Sequence, residues 1–232
     1  KDKVIVAREL DDNIEHQKCL FDYTGWYALV KNNLIKNNYV AIIHYDCLLF
    51  KDFEKSLLKK YKSNLCFISF LPCTIEKAVY FSPVFSSALV KAVNRVYNID
   101  AYELIDKALK KGYKNWATGG SFACSKEWLE RYIEWMEKIK HIILEDSMPS
   151  HNIERSSKIF NMANNIKEIY LPNKLQHIYN ADHNQIYQTD DVQNLQKKLF
   201  NKFISGELYK YNYDIKFSIM EKIKIFLYYM FS

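Results

Sequence analysis

The first residues whose types and spacing suit chemistry are His44, Tyr45 and Asp46, which directly follow the apolar run at residues 39–43. Such a run predicts a strand buried on both faces, and open α/β sheets bind ligands beyond the carboxyl ends of their strands. There the Asp46 carboxylate could hold a divalent cation that bridges the phosphates of a nucleotide. A neighbouring imidazole shifts the preference from Mg²⁺ towards Mn²⁺. In the alternative interpretation Asp46 caps a turn and His44 is a hydrogen-bonded core residue.

A pair of acids, Glu145 and Asp146, follows the apolar residues 142–144. One of them could deprotonate an acceptor hydroxyl while the other positions that base or accepts a hydrogen bond from substrate. The competing interpretation is the start of a helix, because Asp146 to Pro149 also carries a helix start signal.

Paired glycines, Gly119 and Gly120, lie between Thr118 and Ser121. They let the backbone approach a ligand closely, or they make a tight turn. The segment matches neither a Walker phosphate loop nor a dinucleotide fingerprint.

A late group of polar residues consists of His177, Asp182 and His183. A histidine there could complete a metal or pyrophosphate site begun by Asp46. The alternative is a solvated loop histidine.

The elements that must position these residues alternate between strand and helix. Apolar runs predict strands at residues 3–7, 39–43 and 65–71. Helical spacing predicts helices from Thr24, with Asp22 or Thr24 as N-cap, and from Phe53. It also predicts a helix with an apolar stripe that Ser125 caps, and another near residues 152–164. The alternation predicts an α/β fold with a largely parallel sheet. We expect one catalytic domain at residues 1–205, followed by an amphipathic helical tail at residues 206–232.

Residues 215–231 combine apolar positions at helical spacing with Lys216, Lys222 and Lys224. A basic, apolar helix of this kind could rest peripherally on an anionic bilayer. It could equally pack on the domain or on a second subunit.

Composition narrows the class of protein. The five cysteines are odd in number and form no Cys-x-x-Cys pair, which disfavours disulfide frameworks and structural zinc and favours a reducing compartment. The sequence shows no secretory signal and no apolar run that would span a bilayer, so we expect a cytoplasmic protein. A net charge of +6 weakly favours anionic partners. No run of lysine and arginine with interleaved aromatics is present, which predicts no nucleic-acid partner.

The order of these motifs resembles bacterial glycosyltransferases of the GT-A class that make capsular and lipo-oligosaccharide glycans. The resemblance covers roughly residues 21–187 and depends on residues 23–27, 31–33 and 39–45, followed by the Gly-Gly-Ser segment, the Glu-Asp pair and the late histidines. It implies a GT-A-like, Rossmann-like fold with a mostly parallel central sheet flanked by helices.

The same resemblance implies a metal-assisted transfer of sugar from a nucleotide sugar, a UDP-sugar above all, to a glycan or lipid-linked glycan. Asp46 and His183 would bind Mn²⁺ or Mg²⁺, and Glu145 or Asp146 would be the base. Histidine stands at residue 44, where the Asp-x-Asp motif of the class has its first acid. The implied donor-binding residues are His44, Tyr45, Asp46, Gly119, Gly120, His177 and His183.

Two other classes of function stay open on the sequence. One is another nucleotide-dependent transferase, or a hydrolase with Glu145 and Asp146 as a carboxylate pair. The other is a non-catalytic glycan-binding or assembly protein that keeps the fold.

Overall fold

The computed structural model describes residues 5–17, 20, 22–44, 47–49, 52–61, 65–70, 72–74, 87–110, 115–117, 121–146, 149–171 and 175–177. Several residues singled out above lie outside this part of the chain. They are Tyr45, Asp46, Gly119, Gly120, Asp182 and His183, together with the tail at residues 206–232.

Six helices and eight short strands are present in the described residues. The helices are α1 (Asp22–Lys31), α2 (Phe53–Leu58), α3 (Ser87–Tyr97), α4 (Ala101–Lys110), α5 (Lys126–Ile143) and α6 (Pro149–Ala163). The strands are β1 (Tyr39–Ile42), β2 (Cys47–Leu49), β3 (Phe67–Ser69), β4 (Pro72–Thr74), β5 (Asn115–Ala117), β6 (Phe122–Ser125), β7 (Glu168–Tyr170) and β8 (Leu175–His177).

The strand predicted at residues 3–7 is not formed in its described part. A 3₁₀ turn occupies Ala7–Glu9 instead. The backbone N–H groups of Glu9 and Leu10 donate to the carbonyls of Val6 and Ala7. These local bonds satisfy the polar backbone groups that a strand would have paired with a neighbour.

The main sheet has four strands in the order β1-β6-β3-β7. β3 pairs with β7 in parallel, while β6 runs antiparallel to both β1 and β3. Three strands therefore run in one direction, and β6 alone opposes them. The sequence predicted a mostly parallel sheet, and in the described sheet the insertion of β6 makes two of the three pairings antiparallel. The GT-A-like class stays a prediction that these few strands do not decide.

The main sheet is covered on both faces, since its central strands β3 and β6 are buried at every position. Side chains alternate along β3, so Phe67 joins the core beneath the long helix α5, while Ile68 joins a smaller core under α2. In β6 the alternation repeats, with Cys124 on the first side and Ala123 on the second. Helices on both faces of a sheet give a three-layer α/β arrangement.

Helix α5 forms the centre of the larger core. Its predicted N-cap is confirmed, since the Ser125 hydroxyl accepts a hydrogen bond from the Trp128 N–H at 3.2 Å. Fully buried Trp128 and Tyr132 stack along the helix with ring centroids 4.9 Å apart, and Phe160 of α6 meets both rings edge-on. This aromatic contact fixes α6 against α5.

Among the helices of the described residues, none is both long enough and apolar enough to cross a bilayer.

Candidate functional site

The edge of the main sheet where β1, β3 and β7 end is also the edge where β6 begins. His44 comes two residues after β1, and its backbone N–H donates a 3.0 Å hydrogen bond to Ser121 Oγ, directly before β6. Ser121 is 1% exposed, so this bond is shielded from water. The backbone of His44 is thereby fixed to the sheet edge.

The imidazole of His44 is paired with a carboxylate of α1. His44 Nε2 and Asp22 Oδ2 are 2.6 Å apart, and the two side chains are 25% and 43% exposed. Asp22 is the first residue of α1, where the helix dipole favours a negative charge. An Asp–His pair of this kind fixes the orientation of the imidazole and stabilises its protonated form.

Helix α6 brings three more polar side chains to the same place. His151, Glu154 and Arg155 lie at spacings of three and four residues, which place them on one face of the helix. Arg155 Nη1 donates to the His151 carbonyl at 2.7 Å and lies 3.7 Å from a Glu154 carboxylate oxygen. The Arg155 side chain is only 13% exposed, whereas that of Glu154 is 44% exposed.

The pKa of Glu154 is affected by the Asp22–His44 pair, which indicates that the polar face of α6 lies near that pair. Burial raises the pKa of this carboxyl, the positive charges of Arg155, His151 and His44 oppose the rise, and the negative charge of Asp22 adds to it. Since nearly half of the side chain is exposed, solvent limits the size of the net rise. We call Asp22, His44, His151, Glu154 and Arg155 the open cluster.

A cavity of about 420 Å³ adjoins the open cluster. Its walls are mainly apolar, and the polar residues among those that line it are Asp22, Thr24 and His44. Gly25 lies in this lining, and a Cβ added there would have no neighbour within 4 Å. A glycine inside a helix costs about 1 kcal/mol relative to alanine. The apolar lining residues are Ile5, Ala7, Leu10, Trp26, Ala28, Leu29, Leu34, Ile42 and Ile43.

A second polar group of α6 lies on its buried side. Lys158 Nζ is 2.5 Å from Glu168 Oε2, and the two side chains are only 3% and 9% exposed. Asn161 Nδ2 donates to Glu168 Oε1 at 2.9 Å, and Asn161 Oδ1 accepts from Trp128 Nε1 at 2.7 Å. We call Trp128, Lys158, Asn161 and Glu168 the buried network. It ties α6 to β7 and α5.

The predicted acids Glu145 and Asp146 follow the C-terminal end of α5. Glu145 is exposed and forms a loose 3.9 Å ion pair with Lys91, while Asp146 accepts a 3.3 Å hydrogen bond from Asn152. Within the described part of the chain, no hydrogen bond or ion pair joins either acid to His44. Their position just before α6 agrees with the helix-start interpretation, and their catalytic role stays a prediction.

Among the other predicted residues, His177 ends β8, and its backbone pairs with Cys47, the first residue of β2, three positions beyond His44. The roles of Tyr45, Asp46, Gly119, Gly120 and His183 fall outside the described residues and stay predictions.

Four residues of the open cluster were not predicted as site residues: Asp22, His151, Glu154 and Arg155. The signal for three of them is a His-x-x-Glu-Arg spacing on a predicted helix. Asp22 was interpreted only as a helix cap. No pattern within α1 points to its pairing with His44, which depends on the tertiary fold.

Metal-binding residue types are present in the open cluster, but they do not form a complete site there. Across the described residues, no group of three or more histidine, cysteine, aspartate or glutamate side chains is arranged to hold an ion. A metal site at this edge would need a further ligand from elsewhere in the chain.

Residues 113–220 match the family model described as DDE superfamily endonuclease. The matched segment covers somewhat less than half of the chain and includes α5, α6 and the residues of the open cluster on α6. No curated protein and no solved structure matches the chain.

This match contradicts the glycosyltransferase prediction, so both the proposed resemblance and the sugar-transfer activity are wrong. The match also contradicts the predicted role in capsule and lipo-oligosaccharide synthesis and the glycan or lipid-linked acceptor. It gives no support to a nucleotide-sugar donor. The motifs behind the resemblance were short and common, and their order alone carried it. Of the predicted cofactors, the divalent ion agrees with the match, because DDE endonucleases use Mg²⁺ or Mn²⁺.

The prediction of no nucleic-acid partner is wrong for the same reason. It depended on finding lysine, arginine and aromatic residues close together in sequence. A nucleic-acid surface is assembled in three dimensions, so residues that contact phosphates need not be neighbours in the chain.

Proposed function

We propose that this protein is an endonuclease that hydrolyses phosphodiester bonds of DNA. The observation that carries the proposal is the match of residues 113–220 to DDE superfamily endonucleases. The open cluster adds support, because it joins two carboxylates, two imidazoles and an arginine at one sheet edge. A formal net charge of +6 also suits a polyanionic substrate.

In this proposal His44 acts as the general base. Asp22 holds the imidazole at 2.6 Å and stabilises the imidazolium that forms when His44 takes a proton from water. The water oxygen then forms a bond to phosphorus. The bond from phosphorus to one deoxyribose oxygen breaks, which leaves a phosphate monoester on one fragment and a hydroxyl on the other.

Arg155 and Glu154 serve the other two needs of the reaction. The guanidinium of Arg155 donates to the non-bridging phosphate oxygens, where negative charge increases in the transition state. Glu154 gives a proton to the leaving oxygen. Burial raises the pKa of its carboxyl, which favours the protonated form that a general acid requires.

A divalent ion, when bound, supplies further charge stabilisation at the phosphate. Because the described residues do not complete a metal group, at least one ligand must come from outside them. The sequence predictions for Asp46, two residues after His44, and for His183, within the matched segment, fit this need. Both residues carry the oxygen or imidazole donors that Mn²⁺ accepts.

Nicking of supercoiled plasmid DNA tests the proposed function. The full chain is incubated with plasmid in Mg²⁺, in Mn²⁺ or in EDTA, and open-circular and linear products are separated on a gel. We expect ion-dependent conversion that disappears in EDTA. DNA that is bound but never cut under any of these conditions would contradict the proposed function.

A further inference from the structure

We propose that the cavity beside the open cluster is a binding site for a nucleobase, kept open by Gly25. That the base comes from DNA rests on the proposed function. That the cavity binds a nucleobase does not. In the DNA case, one base leaves the stack and enters the cavity while its phosphate lies at the open cluster.

The first support is the size and lining of the cavity. A volume of about 420 Å³ falls within the range of roughly 300–1,000 Å³ that is common for small-molecule sites. The lining residues include Trp26, Leu10, Leu29 and Ile42, and the walls are mainly apolar. Apolar walls suit the two faces of a planar base, as in enzymes that hold an extrahelical base.

The second support is the unused space at Gly25. Glycine is among the least favourable residues inside a helix, and a larger residue usually replaces it where the structure has room. Here the room exists, since a Cβ would meet nothing within 4 Å, and the helix does not require a left-handed backbone at this position. Any larger side chain at residue 25 would enter the cavity. The glycine therefore preserves volume at a cost in stability, which is typical of a position constrained by a ligand.

The third support is the polarity of the rim. Asp22 Oδ2 is engaged by His44, and Oδ1 has no hydrogen bond within the part of the chain that the structure describes. A carboxylate oxygen accepts hydrogen bonds and cannot donate them. An exocyclic amino group donates to such an oxygen directly, whereas the N3–H of thymine lies between two carbonyl oxygens that a carboxylate repels. The cavity should therefore prefer adenine, cytosine and guanine over thymine.

Titration calorimetry with adenosine, cytidine, guanosine and thymidine tests the base site on the full chain. We expect the three amino-bearing nucleosides to bind more tightly than thymidine. Gly25→Leu fills the cavity and should weaken their binding by about tenfold or more, because the added side chain clashes with the base. Gly25→Ala is the matched control. Its single methyl group should change affinity by less than about threefold and raise the melting temperature, because alanine is the better helix former.

A duplex carrying 2-aminopurine tests the DNA source. Emission of this base rises when it leaves the stack, so wild-type protein should raise it on binding. Gly25→Leu should bind the duplex through its phosphates without the rise. Nucleoside binding without any rise would overturn the DNA source and support a site for free nucleosides.

Two results separate this site from the proposed function. If plasmid is cut equally well by wild-type protein and Gly25→Leu and no nucleoside binds, the base site is overturned while the endonuclease stands. If nucleosides bind and Gly25→Leu abolishes that binding, but plasmid is never cut, the base site stands and the endonuclease falls. A folded Gly25→Leu variant with wild-type nucleoside affinity would also overturn the base site.

Discussion

Helix α6 carries ionisable side chains on two sides, and the two sides differ in how their charges are satisfied. In the buried network, Lys158 and Glu168 are almost fully enclosed, and both Glu168 oxygens accept short hydrogen bonds. In the open cluster, Arg155 lies 3.7 Å from a half-exposed Glu154. One helix therefore presents a closed group of charges and an accessible one.

The contrast separates a structural role from a chemical one. A buried charge is tolerated only where its partners satisfy it, and the geometry that achieves this leaves no room for substrate. An accessible carboxylate whose pKa is raised can still exchange a proton with a ligand. We therefore expect substitutions in the buried network to change stability, and substitutions in the open cluster to change activity.

The largest effect is expected for Glu168→Ala. The substitution leaves the Lys158 ammonium buried without its partner, which should lower the free energy of unfolding by about 3–5 kcal/mol. Urea denaturation followed by circular dichroism measures this. The double variant Lys158→Met with Glu168→Leu removes both charges and should recover most of the loss. If Glu168→Ala is as stable as wild type, the Lys158–Glu168 pair does not stabilise the fold.

Glu154→Gln should have the opposite profile. Losing the general acid should reduce plasmid nicking by about 100-fold or more, while the free energy of unfolding changes by less than about 1 kcal/mol. The matched control is Glu134→Gln, which removes an exposed acid of α5. Equal nicking by the two variants would remove Glu154 from the reaction.

Ser121→Ala tests whether the open cluster depends on the sheet edge. The His44 N–H loses its buried acceptor, which should cost about 1–2 kcal/mol of stability. Nicking should fall as well, because the backbone that carries the general base becomes less fixed. Ser157→Ala serves as control, since Ser157 is a buried serine of α6 that no described hydrogen bond joins to His44. Unchanged nicking in Ser121→Ala would mean that the orientation of His44 does not depend on the bond to Ser121.

The smallest effect is a pH dependence of stability at Glu154. Because burial raises the pKa of this carboxyl, the folded protein binds the proton more tightly than the unfolded chain does. Wild-type stability should therefore fall, relative to Glu154→Gln, as the pH rises from the ordinary carboxyl pKa of 4.5 to the raised value. Above that window the variant should be more stable by less than roughly 1 kcal/mol, given the exposure of the side chain. The difference in stability between wild type and Glu154→Gln is measured from urea midpoints between about pH 4 and pH 7.5. A wild type that becomes more stable relative to the variant as the pH rises would contradict the prediction.

Helices and strands with a clear cap or apolar pattern were predictable from the sequence. The Ser125 cap and the apolar stripe of α5 predicted a helix that the structure contains. The apolar run at residues 39–43 predicted the strand β1 but not its surroundings, because β1 lies at an edge of the described sheet and is partly exposed rather than buried on both faces. These signals act over one or two turns, where cap geometry and side-chain period decide the outcome. The 3₁₀ turn at Ala7–Glu9 shows the limit, since a short apolar run does not form a strand without a partner.

Much less of the site could be predicted from the sequence. Of the open cluster, only His44 was anticipated. Its pairing with Asp22 and its electrostatic effect on Glu154 depend on how α1 and α6 pack around α5. The order of the motifs also led to a wrong prediction of function. Gly-Gly, Glu-Asp and Asp-His pairs occur in many folds, so each carries little information alone. The function of a fold is decided by the geometry of its site, which one sequence does not specify.

Gly25 has a consequence for any attempt to engineer this protein. A search for thermal stability alone would favour leucine at residue 25, because leucine is a better helix former than glycine and its side chain would fill the cavity with apolar atoms. The stabilised protein would have lost the cavity that adjoins its acids. Melting temperature and ligand binding would then move in opposite directions at one position, so selection for robustness would have to be coupled to selection for binding.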